Sequence, residues 1–390
     1  MESRQSALNK TSLKGLSLRE LEEFAVSAGE QKYRGRQLFD WMYVRRASSF
    51  DAITSISKSF RRKLDAIAAI DSIRLIEKSG SHADGTVKLL FGLADNTRIE
   101  SVLIPPKIAF QDALAGREDE QTRLTLCIST QVGCPLDCAF CATGTMGLTR
   151  NLTAGEIVDQ LIAAKEITGK RITNLVFMGM GEPLMNYDNV MKSLAIVTEG
   201  MKIAAKHITI STAGWTPGIL RLAEDRPKVK LAVSLHSLDD ATRQSLMPVA
   251  RTFGLHDLLE ALQQYYTSVK QPVTFEYILF DGVNDTRGDA LKLVALSRRI
   301  PSKVNIIPYH DIAFAHPGKL SASLRPTHQI RARQFIGELR EAGVLVFVRS
   351  SAGEDINAAC GQLAVANAVG RPPRQRKPQA LKTHHIRRAI

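Results

Sequence analysis

The 390-residue sequence predicts an α/β protein built on a parallel sheet, open or rolled into a full or partial barrel. Three observations predict it. Between 124 and 350, short apolar β-like runs alternate with amphipathic stretches, the pattern of successive right-handed βαβ units. Several runs are followed by Gly, Ser, Glu or His at their C-terminal ends, where ligand-binding residues gather in such folds. Hydrophobic residues make up 44% and charged residues 23%, which provides for a sizeable core and excludes a mainly disordered chain.

Residues 1–70 predict a small helical accessory module. Ser17 followed by Glu20 is a capping signal for SLRELEEFAVSAG, which stops at Gly29. GRQLFDWMYVRR places Leu38, Trp41 and Met42 at helical spacing, and FDAITSISKSFRRKLDAIAAI carries a third apolar stripe. Phe39 and Trp41 are expected in the module's core. Arg34, Arg36, Arg45, Arg46, Arg61, Arg62 and Lys63 are expected outside it, as candidates for phosphate contact. Residues 71–106 change period: SIRLIEK, VKLLFGL and RIESVLIP read as a small β extension. Residues 107–123 are polar and aperiodic, a loop insertion. In the core, strands are expected at 124–130, 174–180, 207–212, 230–236, 273–280, 303–309 and 344–349. Helices are expected at 153–168, 188–199, 240–268 with a break near Pro248, 287–299 and 327–341. A segment at 351–370 carries Cys360, and 371–390 is a basic tail expected to be disordered.

The net charge of +13 is concentrated at the two ends: +5 over residues 1–80, +7 over 371–390, and only +1 in the remaining chain. Clustered Lys and Arg attract polyphosphate backbones, so nucleic acid is the partner this distribution favours. No apolar run reaches the roughly 18–20 residues that span a bilayer. The polar start, MESRQSALNKTS, lacks a secretory pattern, so a soluble cytoplasmic protein is expected.

Five cysteines, an odd number without an export signal, argue against a disulfide framework. Cys134, Cys138 and Cys141 form a C-x3-C-x2-C pattern after the first core strand. Three thiolates this close can wrap one metal centre. A structural zinc usually takes four ligands, often as two CxxC pairs, and no second pair is present. A four-iron cluster on three thiolates leaves one iron open to a small molecule. By themselves, Cys127 and Cys360 read equally as packing residues or as functional thiols.

The run from Cys134 through Phe140 to Cys141 is similar to the signature of the radical S-adenosylmethionine (SAM) superfamily. Further segments match in order: Gln131-Val132-Gly133-Cys134, Cys141-Ala142-Thr143-Gly144, Met178-Gly179-Met180-Gly181-Glu182-Pro183-Leu184, Ser211-Thr212-Ala213-Gly214, Ser234-Leu235-His236 and Asp355-Ile356-Asn357-Ala358-Ala359-Cys360-Gly361-Gln362-Leu363. Together they resemble the RlmN/Cfr family of adenine-methylating RNA enzymes over roughly residues 12–365.

The resemblance implies a radical SAM partial (β/α)6-type barrel and methylation of adenine C2 in 23S rRNA, at the peptidyl transferase centre, and in tRNA. A Cfr-like reaction at C8 is the alternative. Adenine C2 is electron-poor and has no useful acidity, so it cannot attack the methyl of SAM by a polar route. The resemblance further implies one [4Fe-4S] cluster on Cys134, Cys138 and Cys141, and two SAM molecules per turnover. Cys360 then carries the methyl group, and Cys127 resolves a covalent RNA adduct through a transient Cys127–Cys360 disulfide. Glu100 corresponds to a proton acceptor. Gly181 and Glu182 correspond to contacts of the SAM amino group, and Ser211, Ser234, Leu235 and His236 to contacts near its carboxylate and ribose. His310 stands where the family usually has a SAM-contacting Asn, and an imidazole cannot both donate and accept as a carboxamide does. The implied partners are rRNA, tRNA and an electron donor such as flavodoxin or ferredoxin. A monomer away from membranes is expected.

Overall fold

The computed structural model describes residues 10–70, 73–106, 123–315, 318–349 and 351–365. Residues 107–122 of the insertion and the basic tail lie outside the described residues.

Among its described residues the N-terminal module holds three α-helices, α1 (Leu18–Ser27), α2 (Tyr33–Phe39), which runs on as a π-helical turn over Asp40–Val44, and α3 (Lys58–Ile67). α1 starts where the capping signal predicts, with the Glu20 N–H donating to Ser17 Oγ and Ser17 N–H donating to the Glu20 carboxylate. α3 is shorter than its apolar stripe suggests. Phe50–Ala52 forms only a 3-10 turn, and the serine-rich stretch after it competes for backbone bonds until Ser57 caps the helix. Phe39 is buried in the core as expected; Trp41 is half-buried, its Nε1–H bonded to Ser55 Oγ at 2.7 Å and its face covered by Arg45. A buried Lys14–Asp159 ion pair at 2.5 Å ties the module to the core.

The β extension contributes β1 (Arg74–Gly80), β2 (Val87–Gly92) and β3 (Arg98–Ile104). The parallel strands follow as β4 (Thr125–Cys127), β5 (Asn174–Phe177), β6 (Ile208–Thr212), β7 (Lys230–Ser234), β8 (Val273–Leu279), β9 (Ser302–Pro308) and β10 (Val346–Val348). They form one ten-stranded sheet in the order β10-β9-β8-β7-β6-β5-β4-β3-β2-β1. Strands β4 to β10 pair in parallel, and β1 to β3 add on antiparallel at the β4 edge. All seven expected core strands are present. The near-continuous apolar sequences of β4 to β9 match burial on both faces, whereas the edge strand β10 leaves Phe347 and Val348 exposed.

The crossover helices are α4 (Ala154–Thr168), α5 (Tyr187–Glu199), α6 (Thr216–Asp225), α7 (Asp240–Leu246), α8 (Leu255–Val269), α9 (Arg287–Arg299) and α10 (Gln329–Glu341). The break near Pro248 is a 3-10 turn between α7 and α8. α6 escaped the sequence reading because Pro217 and Gly218 look like breakers. Proline in the first turn is instead compatible with a helix, since its missing N–H has no intrahelical partner there.

No ladder joins β10 to β4 among the described residues, yet Val348 and Arg349 line the same cavity as Cys127 and Val176. The parallel strands therefore curl into a partial barrel. Every βα loop opens at one end, and the site lies there.

Candidate cluster loop and thiol cavity

The three-thiol loop leaves a two-stranded ribbon, in which Gln131–Gly133 pairs antiparallel with Leu148–Asn151. Gly133 has φ +76°, and a Cβ there would stand 1.8 Å from the Gly147 carbonyl oxygen. Cys134 N–H donates to that same oxygen at 3.1 Å, so the first thiol is fixed by a close backbone crossing that only glycine permits. Ala139 N–H donates to Leu246 O at 2.8 Å, which pins the middle of the loop to the end of α7. Cys134 is buried, and Cys138 and Cys141 are half-buried. Burial pushes all three thiols upward, and the charges of neighbouring thiols add to the rise. As free thiols they hold their protons; as ligands they need a nearby positive charge.

Arg243 on α7 supplies one. It is fully buried, and its guanidinium donates to Ala213 O at 2.8 Å, Leu235 O at 3.3 Å and Ser234 O at 3.4 Å. No carboxylate pairs with it among the described residues, and its Nη1 has no hydrogen-bond partner. Burial pulls its pKa down to about 10, and the charge of Cys138 is the strongest influence in the other direction. Three soft donors beside a buried, uncompensated cation fit an anionic iron–sulfur cluster.

The other predicted contacts meet at the same end of the sheet. Gly181 follows β5 with φ +100°, and a Cβ would press to 2.5 Å from Gln131 Cβ. Glu182 is buried; its carboxylate accepts Ala213 N–H at 2.7 Å and Leu184 N–H at 3.1 Å, tying the loops after β5 and β6 together. Burial pushes its pKa up to about 7 against those donors. Ser211 is buried near the end of β6, and Ser234 ends β7 half-buried. Leu235 directs its side chain into the main core, and both its backbone groups are engaged, N–H with Glu276 O and C=O with Arg243. His236 takes the left-handed conformation (φ +54°) and is buried against Phe140, with ring centroids 4.5 Å apart. Its Nδ1 accepts Ile278 N–H at 3.0 Å, and burial beside Arg243 pulls its pKa down to about 3. The ring is neutral, with its proton on Nε2. His310 is buried; its Nδ1 lies 3.3 Å from Glu354 Oε1 without hydrogen-bond geometry.

A cavity of about 300 Å³ opens beside the loop and is lined by both remaining cysteines. Cys127 ends β4 and is buried, its thiol pushed up to about 12 by burial. Cys360 is exposed. All five cysteines are free thiols. The C-terminal segment is stitched to the loop by two bonds: Ala142 N–H to Gly361 O at 2.7 Å and Thr143 Oγ1–H to Leu363 O at 2.6 Å. Gly361 (φ +85°) lies against Phe140 O, which a Cβ would approach to 2.8 Å. These contacts hold Cys360 beside Cys141, whose own pKa its charge raises.

Arg349 lines the cavity as well. Its guanidinium lies 3.6 Å from Glu276 Oε2 and donates to Met178 Sδ at 3.3 Å, while Glu276 Oε1 accepts from Asn305 Nδ2 at 2.9 Å. Glu100 sits two residues before Val102, which pairs with Cys127. It is buried, 3.3 Å from Lys88 Nζ, and burial raises its pKa. Arg243, Arg349 and Glu276 were absent from the sequence reading. Glu276 in VTFEYILF and Arg349 in VLVFVR were signals, as charged residues in apolar runs; Arg243, on an ordinary polar helix, gave none.

The radical SAM superfamily profile matches residues 128–294, and the ribosomal RNA large subunit methyltransferase N-terminal domain matches residues 11–70. A solved radical SAM methyltransferase from Sphaerobacter thermophilus superposes with a TM-score of 0.80 at 40% identity, over 90% of this chain and 99% of that one. Fold and site thus define a radical SAM methyltransferase, an enzyme class whose members use a [4Fe-4S] cluster and SAM. The chain is 43% identical to a probable dual-specificity RNA methyltransferase RlmN of Moorella thermoacetica, over 91% of this chain and 97% of the relative. It is 40% identical to the dual-specificity RNA methyltransferase RlmN of Pelobacter propionicus, over 93% and 99%. The chain belongs to the RlmN family of radical SAM RNA methyltransferases. No helix among the described residues is long and apolar enough to cross a membrane.

Proposed function

We propose that this enzyme methylates C2 of a specific adenine in 23S rRNA and in tRNA. Cys134, Cys138 and Cys141 hold the cluster, and Gly181, Glu182, Ser211, Ser234, Leu235, His236 and His310 surround SAM. The observation that carries the reading is the shared cavity: Cys127 and Cys360 face one space of about 300 Å³, and the Cys360 segment is hydrogen-bonded to the three-thiol loop. A methyl-carrying thiol and a resolving thiol need that arrangement.

Cluster and SAM, when bound, supply the electron and the hydrogen-abstracting radical that an unreactive aromatic carbon requires. Cys360, exposed, takes a methyl group from a first SAM as S-methylcysteine, its thiolate being the nucleophile. Once that methyl group has lost a hydrogen atom to chemistry fuelled by a second SAM, its carbon bonds to the base and joins protein to RNA. Glu100, whose pKa burial raises, takes up the C2 proton. The adduct also gives up its unpaired electron, which the oxidised cluster would take back; the Cys127 thiolate then attacks Cys360 Sγ, the C–S electron pair stays on the carbon, that carbon takes a proton to complete the methyl group, and a disulfide remains. Arg349 opposes the burial that holds the Cys127 thiol protonated. The basic N-terminal module and tail hold folded RNA by its phosphates and shape. A protein of the flavodoxin or ferredoxin class supplies electrons, and the enzyme works as a cytoplasmic monomer.

The test uses anaerobically reconstituted enzyme, SAM, a reductant and unmodified rRNA or tRNA, with nucleosides read by mass spectrometry. Formation of 2-methyladenosine that disappears in C360A is expected. Formation of 8-methyladenosine would assign the Cfr-type reaction instead, and product from C360A would remove Cys360 as carrier.

A further inference from the structure

Among the described residues the buried carboxylates are met by a cation, a proton or a backbone N–H, as when Asp285 accepts from Gly282, whereas the buried cation Arg243 meets no anion. Asp159 has Lys14, Glu100 has Lys88 and Glu276 has Arg349. Glu182 lacks a cation but can take up a proton, and its pKa of about 7 lets it do so. An arginine has no such escape, because it stays protonated at any pH the protein meets. Arg243 is 0% exposed, bonds only to carbonyl oxygens, and leaves Nη1 without a partner. Retaining a buried charge in this way is costly unless an anion is bound beside it.

The surroundings say where that anion belongs. Arg243 sits one helical turn before Leu246, whose carbonyl accepts the Ala139 N–H from between Cys138 and Cys141. Leu246 and Met247 pack with Cys134, Leu136 and Phe140 in a core cluster separate from the main one. Resting on the reading of this loop as the cluster site, we propose that Arg243 is a positioning residue that answers the negative charge of the cluster and its three thiolates and thereby sets the reduction potential. In the step concerned, one electron from a donor enters the oxidised cluster, no proton moves, and the net negative charge of cluster and ligands grows by one. A fixed cation nearby favours the more negative state, so Arg243 makes the cluster easier to reduce.

The experiment is an EPR-monitored redox titration, without SAM, of the anaerobically reconstituted full chain as wild type, R243K, R243Q and R243M, with dithionite as reductant. In R243Q and R243M the ratio of reduced to oxidised cluster at a fixed poise is expected to fall about tenfold, which is about 59 mV for a one-electron couple. R243K keeps the charge and is expected to stay within about threefold of wild type. Equal potentials in all four proteins, or a lysine variant displaced as far as the glutamine one, would overturn the proposal. A second measurement covers the neutral variants that fail to load: the melting temperature of cluster-free protein. Removing an unanswered charge should leave cluster-free R243M melting no lower than cluster-free wild type. A collapse of its fold would reassign Arg243 to holding the Ala213, Ser234 and Leu235 carbonyls and would also overturn the proposal. A wild type that shows no cluster signal would instead sink the reading of the loop itself.

Discussion

The two groups of thiols at the open end of the barrel are built in opposite ways. Cys134, Cys138 and Cys141 share one short loop whose geometry comes from local backbone: a ribbon, a glycine crossing and one bond to α7. Cys127 and Cys360 come from the first parallel strand and the last described segment, and meet only because the sheet curls and the C-terminal strap docks. Their electrostatics differ too. The loop has a buried cation without a carboxylate, as suits a site that binds an anionic group; the cavity has Arg349 facing the Glu276 carboxylate at 3.6 Å, and Glu276 in turn accepts from Asn305, so its cation has a counter-charge within the protein. A site of local origin is open in charge, whereas the one assembled at long range is closed in charge.

The largest expected effect breaks the loop. G133A would force a Cβ against Gly147 O at a backbone position with φ +76°, and should cost more than about 3 kcal/mol. Denaturant unfolding should show the loss, and the absorbance of the reconstituted cluster should fall with it; an unchanged midpoint would remove the glycine crossing from the account. Next comes pH. The folded state binds the Glu182 proton more tightly than the unfolded chain, because burial raises its pKa from 4.5 to about 7. Cluster-free wild type should therefore lose stability as pH rises from about 4.5 through 7, by about 2–3 kcal/mol, and E182Q should lose little. Parallel pH profiles of the two proteins would contradict this.

E276Q tests the closed cavity. It leaves Arg349, 26% exposed at its side chain, without a carboxylate, and should lower stability by about 1–2 kcal/mol, less than for a fully buried pair. A urea midpoint equal to wild type would show that the cavity is not closed by this pair. The smallest effect concerns the strap. T143V removes the bond to Leu363 O and should cost about 1 kcal/mol. Alkylation of Cys360 should quicken while Cys127 stays protected, and an unchanged rate would mean that the Ala142–Gly361 bond suffices.

The same contrast explains what could be read from sequence. The loop was legible because three cysteines within eight residues carry their own geometry. Strands β4 to β9 were legible because both-face burial writes itself as apolar runs. α6 was not, since Pro217 serves as a first-turn residue only in a context the local sequence does not announce. The role of Cys360 came through resemblance, and its meeting with Cys127 depends on barrel curvature that no spacing encodes. The partnership of Arg349 with Glu276 was hidden for the same reason, since it joins residues far apart in the chain; that of Lys88 with Glu100 is local and depends on the register of the β2–β3 hairpin. Glu100 is buried on β3, a strand flanked by β2 and β4, with Lys88 of β2 3.3 Å away.

The strap bearing Cys360 also fixes an order of events during synthesis. A ribosome releases strands β4 to β8 and the three-thiol loop well before the segment that carries Cys360, and chains fold from the N-terminus as they emerge. The loop can therefore adopt its ribbon and meet iron and sulfide while the exposed thiol is still inside the exit tunnel. Docking of Gly361 and Leu363 onto Ala142 and Thr143 then reports a finished loop, so that the most accessible thiol of the molecule is installed last, beside a neighbour already in place.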